Sequence, residues 1–139
     1  MDESLEIELP RHPDAPARAR HLIAELGESR LDADELERAK LAVSELVTNA
    51  LVHGRGAIML RAGLDHDRLM VEVIDEGSGF ERVVRKQTFE DLHGRGLMIV
   101  DAQASRWGLH EGTTHVWFEI ERSGPRLGSD SNPVSEALD

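Results

Sequence analysis

From Asp32 to His53 apolar residues recur every three or four positions, at Leu36, Ala39, Val43, Leu46 with Val47, and Ala50. A helix turns once in about 3.6 residues, so this spacing gathers them on one stripe. Asp32 and Glu35 stand ahead of the stripe at capping-box spacing, which predicts a long helix over Ala33–His53. A helix with a single apolar stripe has to lie on another layer of structure.

The remaining periodicities supply that layer. Leu5, Ile7 and Leu9 alternate with acidic residues, the two-residue period of a strand with one buried face, and Pro10 and Pro13 end it. Asp14 is placed to cap a helix over Ala15–Leu26, with Gly27 as its C-terminal stop. Strands are predicted near Ala57–Ala62 and Arg68–Ile74, joined by the polar turn Asp65-His66-Asp67. After DEGSGF and the aperiodic stretch Glu81–His93, a helix is predicted to begin near Gly96 or Leu97. Two last strands fit Arg106–His110 and His115–Glu121, joined around Gly112. Met59, Met70 and Met98 fall on strand or helix faces, where core packing is expected, and Trp107 and Trp117 are expected to cover the sheet. The order β-α-α-β-β-α-β-β predicts an α/β sandwich: one mixed or mostly antiparallel sheet with helices on one face. One domain is expected over residues 1–122, and residues 123–139, rich in Ser, Gly and Pro, have the composition of a disordered tail.

Composition excludes several functions. The chain of 139 residues contains no cysteine, so disulfides and thiolate metal sites are ruled out. Acidic residues number 27 against 16 basic ones, a formal net charge of −11. Such a surface repels a polyanion, so direct nucleic-acid binding is disfavoured, while a partner with a basic face is favoured. No apolar run reaches the ~18 residues of a membrane span. The N-terminus MDESLEIELP has no basic segment of the secretory kind, and a cytoplasmic protein is expected. Neither a P-loop nor a His-Glu-x-x-His pattern occurs, and Ser44 and Ser78 have no neighbouring His and Asp that suggest a hydrolase triad.

The tetrapeptide HGRG occurs twice, at His53–Gly56 and at His93–Gly96. The first copy ends the long helix, where unpaired carbonyls and the negative dipole end repel phosphate, so Gly54, Arg55 and Gly56 read as a helix stop and turn. The second copy precedes a helix start, where free backbone N–H groups favour an anion and glycines let it approach, so Gly94, Arg95 and Gly96 are phosphate-site candidates. In SELVTNALVH, Glu45, Asn49 and His53 form one slanted helical stripe at the margin of the apolar one. Glu45 has the chemistry of a general base, Asn49 offers a neutral oxygen to a hard cation such as Mg²⁺, and His53 can hydrogen-bond nearby. Asp75-Glu76-Gly77-Ser78-Gly79 follows a strand. There Asp75 can accept a hydrogen bond from an exocyclic amine such as that of adenine, and Gly77 and Gly79 allow a tight turn beneath a flat base. The plain alternatives are a solvated helix edge and a glycine-rich turn.

In order and spacing these motifs resemble the GHKL (Bergerat-fold) ATPase superfamily. Glu45-x-x-x-Asn49-Ala50-x-x-His53 matches its N box, Asp75-x-Gly77-x-Gly79 its first glycine box, and Gly94-Arg95-Gly96-Leu97 its second. Within that superfamily the chain is most similar to the anti-sigma factor serine kinases of bacterial partner-switching systems. The short segment Glu81–His93 between the glycine boxes, and the endings Ser105-Arg106-Trp107-Gly108 and Val116-Trp117-Phe118-Glu119-Ile120, carry that similarity. The resemblance implies the two-layer Bergerat fold and a homodimer that uses Mg-ATP. It implies a protein that keeps a sigma factor from RNA polymerase and phosphorylates a serine of an antagonist protein. It makes Glu45 the base, Asn49 the Mg²⁺ ligand and Asp75 the adenine partner, with Gly77 and Gly79 at the base pocket and Arg95, Gly96 and Leu97 at the phosphates. The family usually has threonine immediately before the valine of the last strand, near the adenine. His115 stands there, with Thr113 and Thr114 just upstream, so either a shifted register brings a threonine to the base or that contact is absent. Two other functions compete with the kinase: a binding module without chemistry, and a histidine-kinase catalytic half acting in trans.

Overall fold

The computed structural model describes residues 3–77, 97–110 and 115–123. Its elements are β1 (Glu3–Leu9), α1 (Ala15–Gly27), α2 (Ala33–His53), β2 (Ile58–Leu64), β3 (Arg68–Ile74), α3 (Leu97–Gln103), β4 (Arg106–His110) and β5 (His115–Glu121). The strands form one sheet in the order β1-β2-β3-β5-β4, and every pairing among the described residues is antiparallel. The element order is the one expected from the sequence.

The register divides the sheet into two chemically distinct faces. One row across the strands runs Leu5, Ala62, Val71, Phe118, Trp107, and the next runs Ile7, Leu60, Val73, Val116, Leu109. These rows, with Leu9, Ile58, Leu64, Leu69 and Ile120, form the inner face. Against it pack Ala39, Ala42, Val43, Leu46, Val47 and Ala50 of α2, Ala15, Ala19 and Ile23 of α1, and Leu97 and Val100 of α3. The small residues of α1 let it lie close to α2. The rows between point the other way: Glu6, Arg61, Glu72, Trp117, Gly108 in one, and Ser4, Gly63, Met70, Glu119, Arg106 in another.

That division corrects the expectation for two methionines and refines the one for the tryptophans. Met59 and Met70 lie on the outer face and are only partly covered, because a two-residue period sends them away from the helices. Trp107 is inside, its indole N–H donating to Asp101 Oδ1 at 2.8 Å, whereas Trp117 is outside and lies flat over Gly108, where a Cβ would sit 2.9 Å from its ring. Both tryptophans cover the sheet, from opposite sides.

The helix ends follow the sequence in part. The capping box of α2 is complete: Glu35 N–H donates to Asp32 Oδ1 at 2.8 Å, and Asp32 N–H donates to Glu35 Oε1 at 2.9 Å. Asp14 makes no side-chain cap on α1 and pairs instead with His12 Nδ1 at 2.8 Å. Gly27 is the last residue of α1 rather than a stop beyond it. It does not have positive φ, and a Cβ there would meet Leu31 Cδ1 at 2.6 Å, so a larger residue would have to displace the end of that side chain.

Glu35 also ties the end of β5 to the helical layer. Its Oε2 accepts from Ser123 N–H at 2.5 Å and from Ser123 Oγ at 2.9 Å, while Arg122 donates to the carbonyls of Asp65 at 2.6 Å and Arg30 at 2.7 Å. Ser123, the first residue of the expected tail, thus bonds into the domain; the rest of that tail lies outside the described residues. Glu35→Ala removes the acceptor for two backbone donors at a buried position, and unfolding by urea is expected to show a loss of about 2–3 kcal/mol.

Candidate functional site

α2 buries its apolar stripe in the sheet, which leaves the neighbouring stripe at the edge of the helical layer. Glu45 and Asn49 are half-buried there and His53, at the last residue of the helix, is exposed. The buried amide Nδ2 of Asn49 has no hydrogen-bond partner among the described residues. A buried unsatisfied carboxamide is costly, and its two ends exchange by a half-turn, so it is suited to hold an ion or an ordered water. Neutral carboxamide and carboxylate oxygens one turn apart are donors a hard cation accepts. The donor set therefore fits Mg²⁺ held jointly with phosphate oxygens.

Asp75 lies just past β3, and the inward phase of the strand turns it toward α2. It is 8% exposed. Its Oδ1 accepts from Gly77 N–H at 2.7 Å and, more weakly, from Arg55 N–H at 3.4 Å, and the backbone N–H of Glu76 donates to Arg55 O at 2.9 Å. The first HGRG is thus bonded to the DEG turn. Gly54 is the residue that makes this possible. A Cβ there would lie 2.5 Å from Asp75 Cγ and 2.8 Å from Ala50 O. Gly54 is the cap at which α2 stops, as the sequence reading has it, but its φ is −96°, a value open to any residue, and the left-handed residue of the turn is Gly56 at φ +68°. Space for a carboxylate, rather than dihedral freedom, is what requires glycine at 54.

The structure therefore brings Asp75 and Gly77 to the end of the helix that carries Glu45, Asn49 and His53. Leu97 opens α3 and is fully buried in the core, so its side chain anchors the helix and only its backbone is available to a ligand. Gly79, Gly94, Arg95 and Gly96 lie outside the described residues, as do Thr113 and Thr114.

His115 is not at this site. It belongs to the outer face, where its Nε2 is 2.9 Å from Glu72 Oε2 and its ring stacks on His110 at 4.0 Å. Glu72 also pairs with Arg61 at 3.3 Å. The histidine that stands in place of the family's threonine thus points away from the helices and offers no contact to a base on their side. Burial lowers the His115 pKa below its usual value, and the Glu72 hydrogen bond opposes this only in part. A lowered value means that the unfolded chain takes up this proton first. The stability associated with neutral His115 is complete above about pH 6.5 and is lost as pH falls through the folded value. Titration of the ring followed by NMR is expected to give a midpoint below that of a free histidine, and His115→Gln is expected to remove this part of the acid loss of stability.

The comparisons agree with the geometry. Residues 9–120 match the histidine kinase-like ATPase domain family. The chain is 33% identical over 89 residues to an anti-sigma F factor of Clostridium acetobutylicum, covering 60% of this chain and 62% of that protein. It is 31% identical over 99 residues to an anti-sigma F factor of Clostridium beijerinckii, covering 66% of this chain and 67% of that protein. A serine-protein kinase RsbW of Bacillus subtilis is 45% identical over 53 residues, which cover 34% of this chain and 33% of the kinase. In fold, a crystal structure of the RsbU and RsbW domains of a Mycobacterium tuberculosis protein superposes with a TM-score of 0.62 at 22% identity, over 86% of this chain and 32% of that one. The chain belongs to the histidine kinase-like ATPase family, in its anti-sigma factor kinase branch. It spans about three-fifths to two-thirds of the two clostridial relatives.

Gly54→Ala forces the Asp75 carboxylate off its seat, and Asp75 is not free to yield because Oδ1 is bonded to the turn. Denaturant unfolding is expected to show a loss of about 1–3 kcal/mol. Alanine at the exposed position 52, two residues back, is expected to be near neutral.

Proposed function

We propose that this protein is a Mg-ATP-dependent protein serine kinase that also sequesters a sigma factor, and that its phosphate acceptor is a serine of an antagonist protein. The observation that supports this most is that Asp75 packs on the last turn of the same helix that carries Glu45 and Asn49. Along α2 the order is then Asp75 with Gly54, Asn49, Glu45, the order in which the base, the metal-bound phosphates and the acceptor hydroxyl are met along an extended nucleotide. The rise from Glu45 to Gly54 is roughly 13 Å, enough for such a ligand.

In this reading Asp75 accepts from the exocyclic amine of adenine, while Gly77 and Gly79 shape the turn under the base. Asn49 holds Mg²⁺, which when bound offsets the phosphate charge that so acidic a protein would repel. His53 hydrogen-bonds at the site margin, and the backbone at Gly94, Arg95, Gly96 and Leu97 faces the phosphates. Glu45 takes the proton of the acceptor serine as its oxygen bonds the γ-phosphorus; the bond to the bridging oxygen breaks and ADP leaves. The names of the relatives support the sigma-factor and kinase roles, and the net charge of −11 suits a partner with a basic face. No helix among the described residues is long and apolar enough to cross a membrane, in keeping with action in the cytoplasm. A homodimer is part of the same reading. His115 lies on the opposite face of the sheet and takes no part in this reading.

Labelled ATP and a panel of small antagonist-type proteins test the proposal. Wild type is expected to label a serine. Glu45→Ala is expected to slow transfer by about 10²–10⁴-fold with ATP still bound, and Asn49→Ala to lose the Mg²⁺-dependent part of ATP affinity. An antagonist that binds wild type with ATP present yet stays unlabelled would falsify the kinase assignment.

A further inference from the structure

We propose that Arg11 is a positioning residue for the nucleotide site, acting through the end of α2; the inference rests on the reading of that site given above. Arg11 lies in the proline-flanked link between β1 and α1, far in sequence from any motif. Its guanidinium reaches across to three backbone carbonyls: Nη2 donates to Ala50 O at 2.7 Å, Nη1 to Leu51 O at 2.9 Å and Nε to Gly56 O at 2.9 Å. Two of these acceptors are in the last turn of α2 and the third is in the loop beyond it. Carbonyls at a helix C-terminus are under-satisfied and concentrate negative charge, and Ala50 O here accepts from Gly54 N–H at 3.1 Å as well as from Arg11. A planar fork of donors can engage three of them at once, which a lysine ammonium on its flexible stem does poorly.

What Arg11 holds is the surface on which Asp75 rests. Residues 50–56 lie between its contacts, and within them Gly54 provides the gap for the Asp75 carboxylate, Arg55 N–H donates to Asp75 Oδ1, and Arg55 O accepts from Glu76 N–H. Gly56, whose carbonyl Arg11 binds, is the left-handed turn residue of this loop. Asn49 precedes the first of the bonded carbonyls by a single residue. Arg11 thus sets the position of the adenine-reading carboxylate relative to the metal-binding amide. It also brings a positive charge to a helix end whose negative field would oppose a polyanionic nucleotide. The side chain bonds backbone carbonyls and acts through the backbone of α2 and its loop.

The test compares wild type with Arg11→Ala and Arg11→Lys, using Mg-ATP in equilibrium dialysis, phosphotransfer kinetics and residue-resolved hydrogen exchange without nucleotide. Arg11→Ala is expected to bind ATP about tenfold more weakly, with a matching rise in KM and an unchanged kcat at saturating ATP. Amide protection at Gly54 and Glu76 is expected to fall while the β2–β3 ladder keeps its protection. Arg11→Lys, which retains charge and packing, is expected to fall between the two and covers the case in which the alanine variant folds poorly. Unchanged ATP affinity and unchanged Gly54 and Glu76 protection in both variants overturn the inference and leave the kinase reading intact. A loss of protection spread evenly over the sheet also overturns it, since that marks a general staple. If wild type binds no ATP but Arg11→Ala still loses protection at Glu76 alone, the nucleotide reading falls and the positioning of the Asp75 turn by Arg11 stands.

Discussion

The packing of one stripe of α2 on one face of an antiparallel sheet sets the position of every other group in this protein. Because α2 presents Ala39, Val43, Leu46, Val47 and Ala50 to the strands, Glu45, Asn49 and His53 are carried to the margin of the contact. Glu45 and Asn49 are half-buried there, and His53 at the helix end is exposed. Because β3 presents Leu69, Val71 and Val73 to the same contact, the next residue in phase, Asp75, emerges at that margin too. Two periodicities, 3.6 on the helix and 2 on the strand, intersect at the site.

The closest part of that intersection is backbone against carboxylate. Asp75 sits where the side chain of residue 54 would be, and the loop it rests on is joined to it by bonds through Arg55, Glu76 and Gly77. Polar groups gathered this closely at a helix C-terminus, in a protein of net charge −11, need compensation. The guanidinium of Arg11 supplies it within the chain. The amide of Asn49 is the complementary case, a buried polar atom with no partner among the described residues.

The open face of the sheet follows a different logic. There Arg61, Glu72, His115 and His110 form a continuous chain of side-chain contacts, and Arg68 and Arg106 flank the nearly buried Glu119 at 3.7 and 3.8 Å. His115 bonds Glu72 and stacks on His110 there, on the face opposite the helices.

Much of the fold was legible in the sequence. The capping box at Asp32 and Glu35, the stripe of α2, the alternation of β1 and the order of all eight elements follow from local periodicity and local hydrogen bonding, which neighbours in the chain determine by themselves. The grouping of Glu45, Asn49 and Asp75 is a reading of motif spacing, and the structure sets Asp75 against the end of the helix that carries the other two. What the sequence left undecided depends on groups distant along the chain. Which face Met59, Met70, Trp117 and His115 occupy required the register between strands. The reason for glycine at 54 required the approach of Asp75 from 21 residues away, and the role of Arg11 required carbonyls 39 to 45 residues distant. Such contacts leave no period in the sequence, because a hydrogen bond or a steric gap depends on where two segments meet in space and not on how far apart they stand in the chain.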